Sequence, residues 1–170
     1  MNRIVFLKNN GDSLDKVKFT HIEAGKARMV DISEKPDLKR RARAGGEILL
    51  SQPTLEMIRE GSVEKGNVLA TARVAAVMAV KRTPDTIPLC HQLSITGIDV
   101  TFELGESRIS AFVEVRTLGK TGVEMEALSG VSAALLTIWD MVKSAEKDWS
   151  GNYPHTAIQN IRVLEKVKEY

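Results

Sequence analysis

The sequence predicts an α+β sandwich, one antiparallel sheet with helices packed mainly on one face, and two patterns carry that prediction. Ile98, Val100, Phe102 and Leu104 alternate with Asp99, Thr101 and Glu103; after the turn residues Gly105-Glu106-Ser107, Ile109, Ala111, Val113 and Val115 repeat the alternation. Period two on both sides of a turn is an antiparallel pair with one buried face. Leu128, Val131, Leu135, Ile138 and Val142 then recur at spacings of three and four, which draws one apolar stripe along a helix beginning near Val123.

The remaining elements follow in chain order. Residues 1–18 hold an IVFL run broken by Asn9-Asn10-Gly11-Asp12-Ser13 and read as an N-terminal extension before a single domain over 19–170. Met29-Val30-Asp31-Ile32 alternates like a short strand that Pro36 ends. Ile48, Leu49 and Leu50 form another short strand. Ser51 then caps a brief helix with Pro53 in its first turn and Gly61 past its end. From Val68 the run VLATARVAAVMAVKR is a second, mostly buried helix closed by Pro84. Ile161, Val163 and Leu164 supply a last strand. The order of helices, hairpin, helix and strand resembles the ferredoxin-like fold.

Composition excludes several classes of function. At 170 residues, 43% hydrophobic and 27% charged, the chain has an ordinary globular balance and length for one core. A net charge of +2 argues for neither nucleic acid nor an acidic membrane as partner. Cys90 is the single cysteine, so no internal disulfide forms. No leader pattern opens the chain and no apolar run suggests a membrane span, so a soluble cytoplasmic protein is expected.

Several segments carry candidate chemistry. Asp140 and Lys143 sit one helical turn apart on a flank shared with Glu126, Ser129, Ala133 and Leu136. A carboxylate beside an ammonium there is either a solvated ion pair or a proton-transfer pair facing a ligand. Lys39-Arg40-Arg41-Ala42-Arg43 is either solvated surface or a polyphosphate holder. Lys81 and Arg82 complement a helix C-terminus and also deliver cations to the loop Thr83 to Leu93. In that loop Cys90 and His91 are neighbours, and neighbours in an extended segment point opposite ways, which disfavours a shared metal. The GKTG at 119–122 lacks the earlier glycine of a nucleotide-binding loop, where Glu114 stands, and Glu124 and Glu126 already satisfy the helix dipole.

Five segments in order, KARMVDIS at 26–33, KGNVLATARVA at 65–75, KRTPDTIPLCH at 81–91, GKTGVEMEAL at 119–128 and LTIWDMVK at 136–143, make the chain similar to the cyclic pyranopterin monophosphate synthases of molybdenum cofactor biosynthesis, the MoaC family, from about Phe19 to Lys166. The resemblance implies a lyase that converts (8S)-3′,8-cyclo-7,8-dihydroguanosine 5′-triphosphate to cyclic pyranopterin monophosphate and releases pyrophosphate. It implies Asp140 and Lys143 as the acid/base pair and Leu89, Cys90, His91, Met125 and Glu126 as substrate contacts. Lys65, Lys81 and Arg40 would hold phosphates; Glu124, Asp31 and Lys166 match further site positions. It further implies a homohexamer, a trimer of dimers, with sites shared between subunits.

The chemistry demands no cofactor and no protein-held metal, although magnesium accompanies nucleotide triphosphates. The chain departs from many members in ending VKEY after Lys166, without a glycine- and serine-rich tail, and in a longer insert, WSGNYPHTAIQN, after Asp148. A ferredoxin-like binding module for a nucleotide or RNA is the rival. Phe102 and Phe112 alone do not make the aromatic and basic sheet pattern that grips RNA.

Overall fold

The computed structural model describes residues 22–23 and 26–169. The extension 1–18 with its IVFL run lies outside the described residues, as does His21. Two compact units are present, Met1–Val30 and Asp31–Tyr170. In the first, β1 (Ile22–Glu23) pairs antiparallel with β2 (Lys26–Ala27). The second holds β3 (Leu38–Leu49), α1 (Gln52–Glu60), α2 (Val68–Lys81), α3 (Thr83–Thr86), β4 (Ile95–Leu104), β5 (Arg108–Gly119), α4 (Glu124–Glu146) and β6 (Ala157–Glu169). The sheet order is β4-β5-β3-β6 with every neighbouring pair antiparallel, the arrangement of a ferredoxin-like sandwich.

Strand β3 begins ten residues before the Ile48 at which the sequence pattern placed it, and it runs through the basic cluster. The cations conceal the alternation. Ala42, Ala44, Gly46 and Ile48 pair with Val115, Val113, Ala111 and Ile109 on the helix-covered face, while Arg41 and Arg43 point to the other. Met29 to Ile32 is not a strand. Asp31 instead accepts hydrogen bonds from the Ser33 amide at 2.8 Å and hydroxyl at 2.6 Å, a local turn that competes with sheet pairing.

Helix α4 lays Val131, Leu135, Ile138 and Val142 on the sheet, all buried, with Leu128 partly buried beside them. Each such side chain contributes about 1.5–3 kcal/mol by leaving water. Two glycines let the backbones approach: a Cβ at Gly46 would sit 3.0 Å from Leu135 and Val131, and one at Gly130 would sit 2.9 Å from Val80 and 3.0 Å from Val113. Contrary to the sequence expectation, α4 is long and apolar enough to span a membrane, with mean hydropathy 1.3. Its buried stripe identifies it as the core helix.

Helix α1 ends at Gly61, whose φ of 70° favours glycine. Ser51 precedes α1, yet its hydroxyl bonds the Glu146 carboxylate at 2.7 Å rather than the helix's own amides. The sheet's uncovered face carries a chain of ion pairs across all four strands of the sheet, Asp99 to Arg116 to Glu114 to Arg41 to Glu165. Arg43 lies 4.9 Å over the Phe112 ring beside it.

Candidate active site

Helices α2 and α4 run antiparallel, because the start of α2 meets the end of α4 through Lys65 while Val80 packs on Gly130. This pairing sorts the predicted site residues into two groups at opposite ends of α4. The first group is the cleaner. Lys143 Nζ donates to Asp140 Oδ1 at 2.7 Å, and Lys65 Nζ donates to Asp140 Oδ2 at 3.1 Å and to the Asp140 carbonyl at 2.7 Å. The hydrogen bonds from Lys143 and Lys65 hold the Asp140 carboxyl below the usual carboxylate range. Asp140 in turn, with a weaker contribution from Tyr153, holds Lys143 above the usual lysine range. Carboxylate and ammonium are therefore both charged at neutral pH, and both face solvent, the Asp140 side chain being 59% exposed.

The second group gathers where α4 begins. Glu126 is only 3% exposed, although it lies on the same flank as Asp140, and α3 packs against α4. Burial pushes the Glu126 carboxyl up against a hydrogen bond from its own amide, and the Glu124 charge adds to the rise. Burial also pushes up the Cys90 thiol, and the charge of Glu126 adds to it, which places the thiol near that carboxyl. Leu89 and His91 are half-buried on either side of Cys90, and Met125 is exposed on α4. Lys81 projects at this end of α2 with no ion pair among the described residues.

Glu124 forms an ion pair with Lys166 of β6, and its carboxylate folds back over Gly122. Arg40 does not stand free in solvent: Nε donates to the Gly119 carbonyl at 2.9 Å and Nη2 to the Lys120 carbonyl at 3.2 Å. Lys120 reaches the Ser33 carbonyl at 2.7 Å, which ties the GKTG turn to the turn that Asp31 forms. Arg41 is spent on Glu114 and on a two-pronged contact with Glu165. The basic cluster is thus split between two sheet faces and makes no continuous polyphosphate cradle.

Glu126 and Asp140 are 14 positions apart on one helix, which is roughly 21 Å at about 1.5 Å per residue. Proton transfer needs heavy atoms within about 2.6–3.2 Å of one another or one water between them. The two groups therefore cannot serve one reacting ring from within one chain.

Sequence reading missed the contribution of Lys120 and the joining of Lys65 to Asp140, because neither partner is near in sequence. Among the described residues no group of three or more His, Cys, Asp or Glu side chains could hold a metal ion. A cleft of about 250 Å³ opens beside the Lys65 turn, lined by α1 and the first turns of α2, including Ile58, Val63, Asn67 and Arg73. It is mostly apolar and includes neither Asp140 nor Lys143.

Comparison with known proteins adds a family match: the model described as "MoaC family" matches residues 29–169. A Methanosarcina mazei protein named probable cyclic pyranopterin monophosphate synthase is 77% identical over 150 residues, 88% of this chain and 96% of its own. A Pyrococcus furiosus protein of the same name is 56% identical over 153 residues, 90% of this chain and 98% of its own. A Methanothermobacter thermautotrophicus protein, 61% identical over 151 residues and covering 89% of this chain and 95% of its own, is named a probable cyclic pyranopterin monophosphate synthase accessory protein.

Proposed function

The chain belongs to the MoaC family, and from that premise we propose how its residues carry out the family's reaction. The protein is a cyclic pyranopterin monophosphate synthase, a lyase of molybdenum cofactor biosynthesis that converts (8S)-3′,8-cyclo-7,8-dihydroguanosine 5′-triphosphate to cyclic pyranopterin monophosphate with release of pyrophosphate. Opening the guanine imidazole ring, closing a pterin and forming a cyclic phosphate all move protons without net oxidation or reduction. The single observation that carries the assignment of roles is the Lys65, Asp140 and Lys143 cluster. Asp140, ionised, is the proton acceptor and Lys143, protonated, the donor; their ion pair weakens both in these roles until a substrate group comes between them.

At the other end of α4, Glu126 holds its proton more tightly than an exposed carboxyl and suits exchange with the base, with Leu89, Cys90, His91 and Met125 around it. Lys81 supplies charge for the triphosphate, and Lys166, Glu124 and Asp31 border that end. Arg40 contributes through the GKTG turn that it holds. The separation of the two groups supports a site assembled from two subunits, and exposed Val74 and Met78 on α2 with Leu136 on α4 supply apolar surface for a homohexamer. The protein works in the cytoplasm without a resident cofactor, and any magnesium arrives on the triphosphate.

The test is one assay of purified protein with the cyclised guanosine triphosphate, followed by oxidation and fluorescence detection of the pterin. Pterin with stoichiometric pyrophosphate is expected. Binding of the triphosphate without pterin would make the protein a nucleotide sensor instead.

A further inference from the structure

The loop between α4 and β6, residues 147–156, is built rather than slack. Asp148 accepts hydrogen bonds from the Ser150 amide at 2.8 Å, the Ser150 hydroxyl at 2.7 Å and the Asn152 amide at 2.9 Å, which closes its first half. Gly151, with φ of 84°, makes the bend that this closure requires. Its far end is pinned by Thr156, whose hydroxyl donates to the buried Glu146 carboxylate at 2.6 Å. Between the two anchors, Tyr153 meets Trp139 edge-on, with ring centroids 5.6 Å apart and planes at 67°. Trp139 is itself packed against the core, so the ring it supports has a fixed seat.

Trp139 and Lys143 are four residues apart on α4 and share one face of it. A ring seated on Trp139 is within reach of the lysine stem, and Tyr153 couples electrostatically to Lys143. We propose that Tyr153 is a positioning residue for Lys143, its ring forming a wall that keeps the flexible four-carbon side chain over Asp140. A lysine ammonium is a point charge on a stem with several rotamers, and a proton donor of that kind needs its swing restricted to be useful at one atom. The Tyr153 oxygen is near enough to Lys143 to couple to it electrostatically, after the larger effect of Asp140. The inference rests on the acid/base role given to Lys143 above.

Wild type, Tyr153→Phe, Tyr153→Leu and Trp139→Phe would be compared for pterin turnover, KM for the cyclised triphosphate, oligomeric state and melting temperature. The rate at which a small acylating reagent modifies Lys143, read by peptide mass spectrometry, is measured on the same proteins without substrate. Tyr153→Leu is expected to lose kcat on the order of tenfold to a hundredfold, as displaced catalytic groups do, with little change in KM and faster acylation of Lys143. Tyr153→Phe, which keeps the wall, recovers most of that loss. Trp139→Phe, which draws back the supporting ring, moves kcat and acylation in the same direction as Tyr153→Leu by less. Wild-type kcat in Tyr153→Leu, or a loss confined to KM with acylation unmoved, overturns the proposal. A wild-type protein that forms no pterin would instead overturn the assigned reaction, and the acylation rates would still judge the placement of Lys143.

Discussion

Lys65, in the turn before α2, donates both to the main-chain carbonyl and to the carboxylate of Asp140, so one ammonium fixes the position and the charge of an aspartate 75 residues further along the chain. Resemblance alone made Lys65 a phosphate holder, in which case Lys65→Ala would raise KM and spare kcat. The geometry predicts more. Lys65→Ala should lower kcat as well, because Asp140 loses one of the two donors that keep it ionised and in place. Steady-state kinetics on the variant decides between these, and an unchanged kcat would return Lys65 to substrate binding alone.

The pH profile follows from the same cluster. Asp140 is depressed by Lys143 and Lys65, so the stability and the base function that depend on its charge are present above the ordinary carboxylate pKa and are lost as pH falls through its lower folded value. Lys143 is raised by Asp140, so its contribution is complete below the ordinary lysine pKa and disappears as pH rises through the higher folded value. The free enzyme should show kcat/KM level across neutral pH. A limb from this pair near pH 7 would contradict the assignment.

Glu126 should behave in the opposite sense to Asp140. Its folded pKa is raised by burial, so the unfolded chain ionises first and stability falls as pH climbs from the unfolded value through the folded one. Glu126→Gln is expected to raise the melting temperature at neutral pH, to remove that pH-dependent loss, and to lower pterin turnover. A variant with lower stability at neutral pH would show that the carboxyl is held as an ion.

Glu146 tests the loop anchor. Burial pushes its carboxyl up, but hydrogen bonds from Thr156, Thr54 and Ser51 outweigh that and leave it below the usual range. Its contribution is present above the unfolded pKa and is lost as pH falls through the folded one. Glu146→Ala leaves buried donors without a partner and should cost about 1–3 kcal/mol for each of them, measured by urea unfolding. A smaller change in the same measurement would mean that the donors find other acceptors.

Where period was intact, the fold could be read from residues: the hairpin from its alternation, α4 from Val131, Leu135, Ile138 and Val142. β3 was half hidden because its core face is built from Ala42, Ala44 and Gly46, too small to stand out between arginines. Asp140 with Lys143 was visible at one turn's spacing, whereas Lys65 joins them only through the antiparallel pairing of α2 and α4. The burial of Glu126 was not visible either, since it sits on the same helical flank as the exposed Asp140 and only the tertiary structure, which brings Cys90 near it, sets the two apart.

The central claim is that the two groups along α4 act together only between subunits. Glu126→Gln and Lys143→Ala proteins, each expected to have lost most of its turnover alone, would be mixed, dissociated and reassembled, and pterin formation measured. A site that draws one group from each of two randomly paired subunits is intact in roughly a quarter of cases, so activity should return to roughly a quarter of wild type. Reassembled mixed oligomers without activity would contradict the shared site.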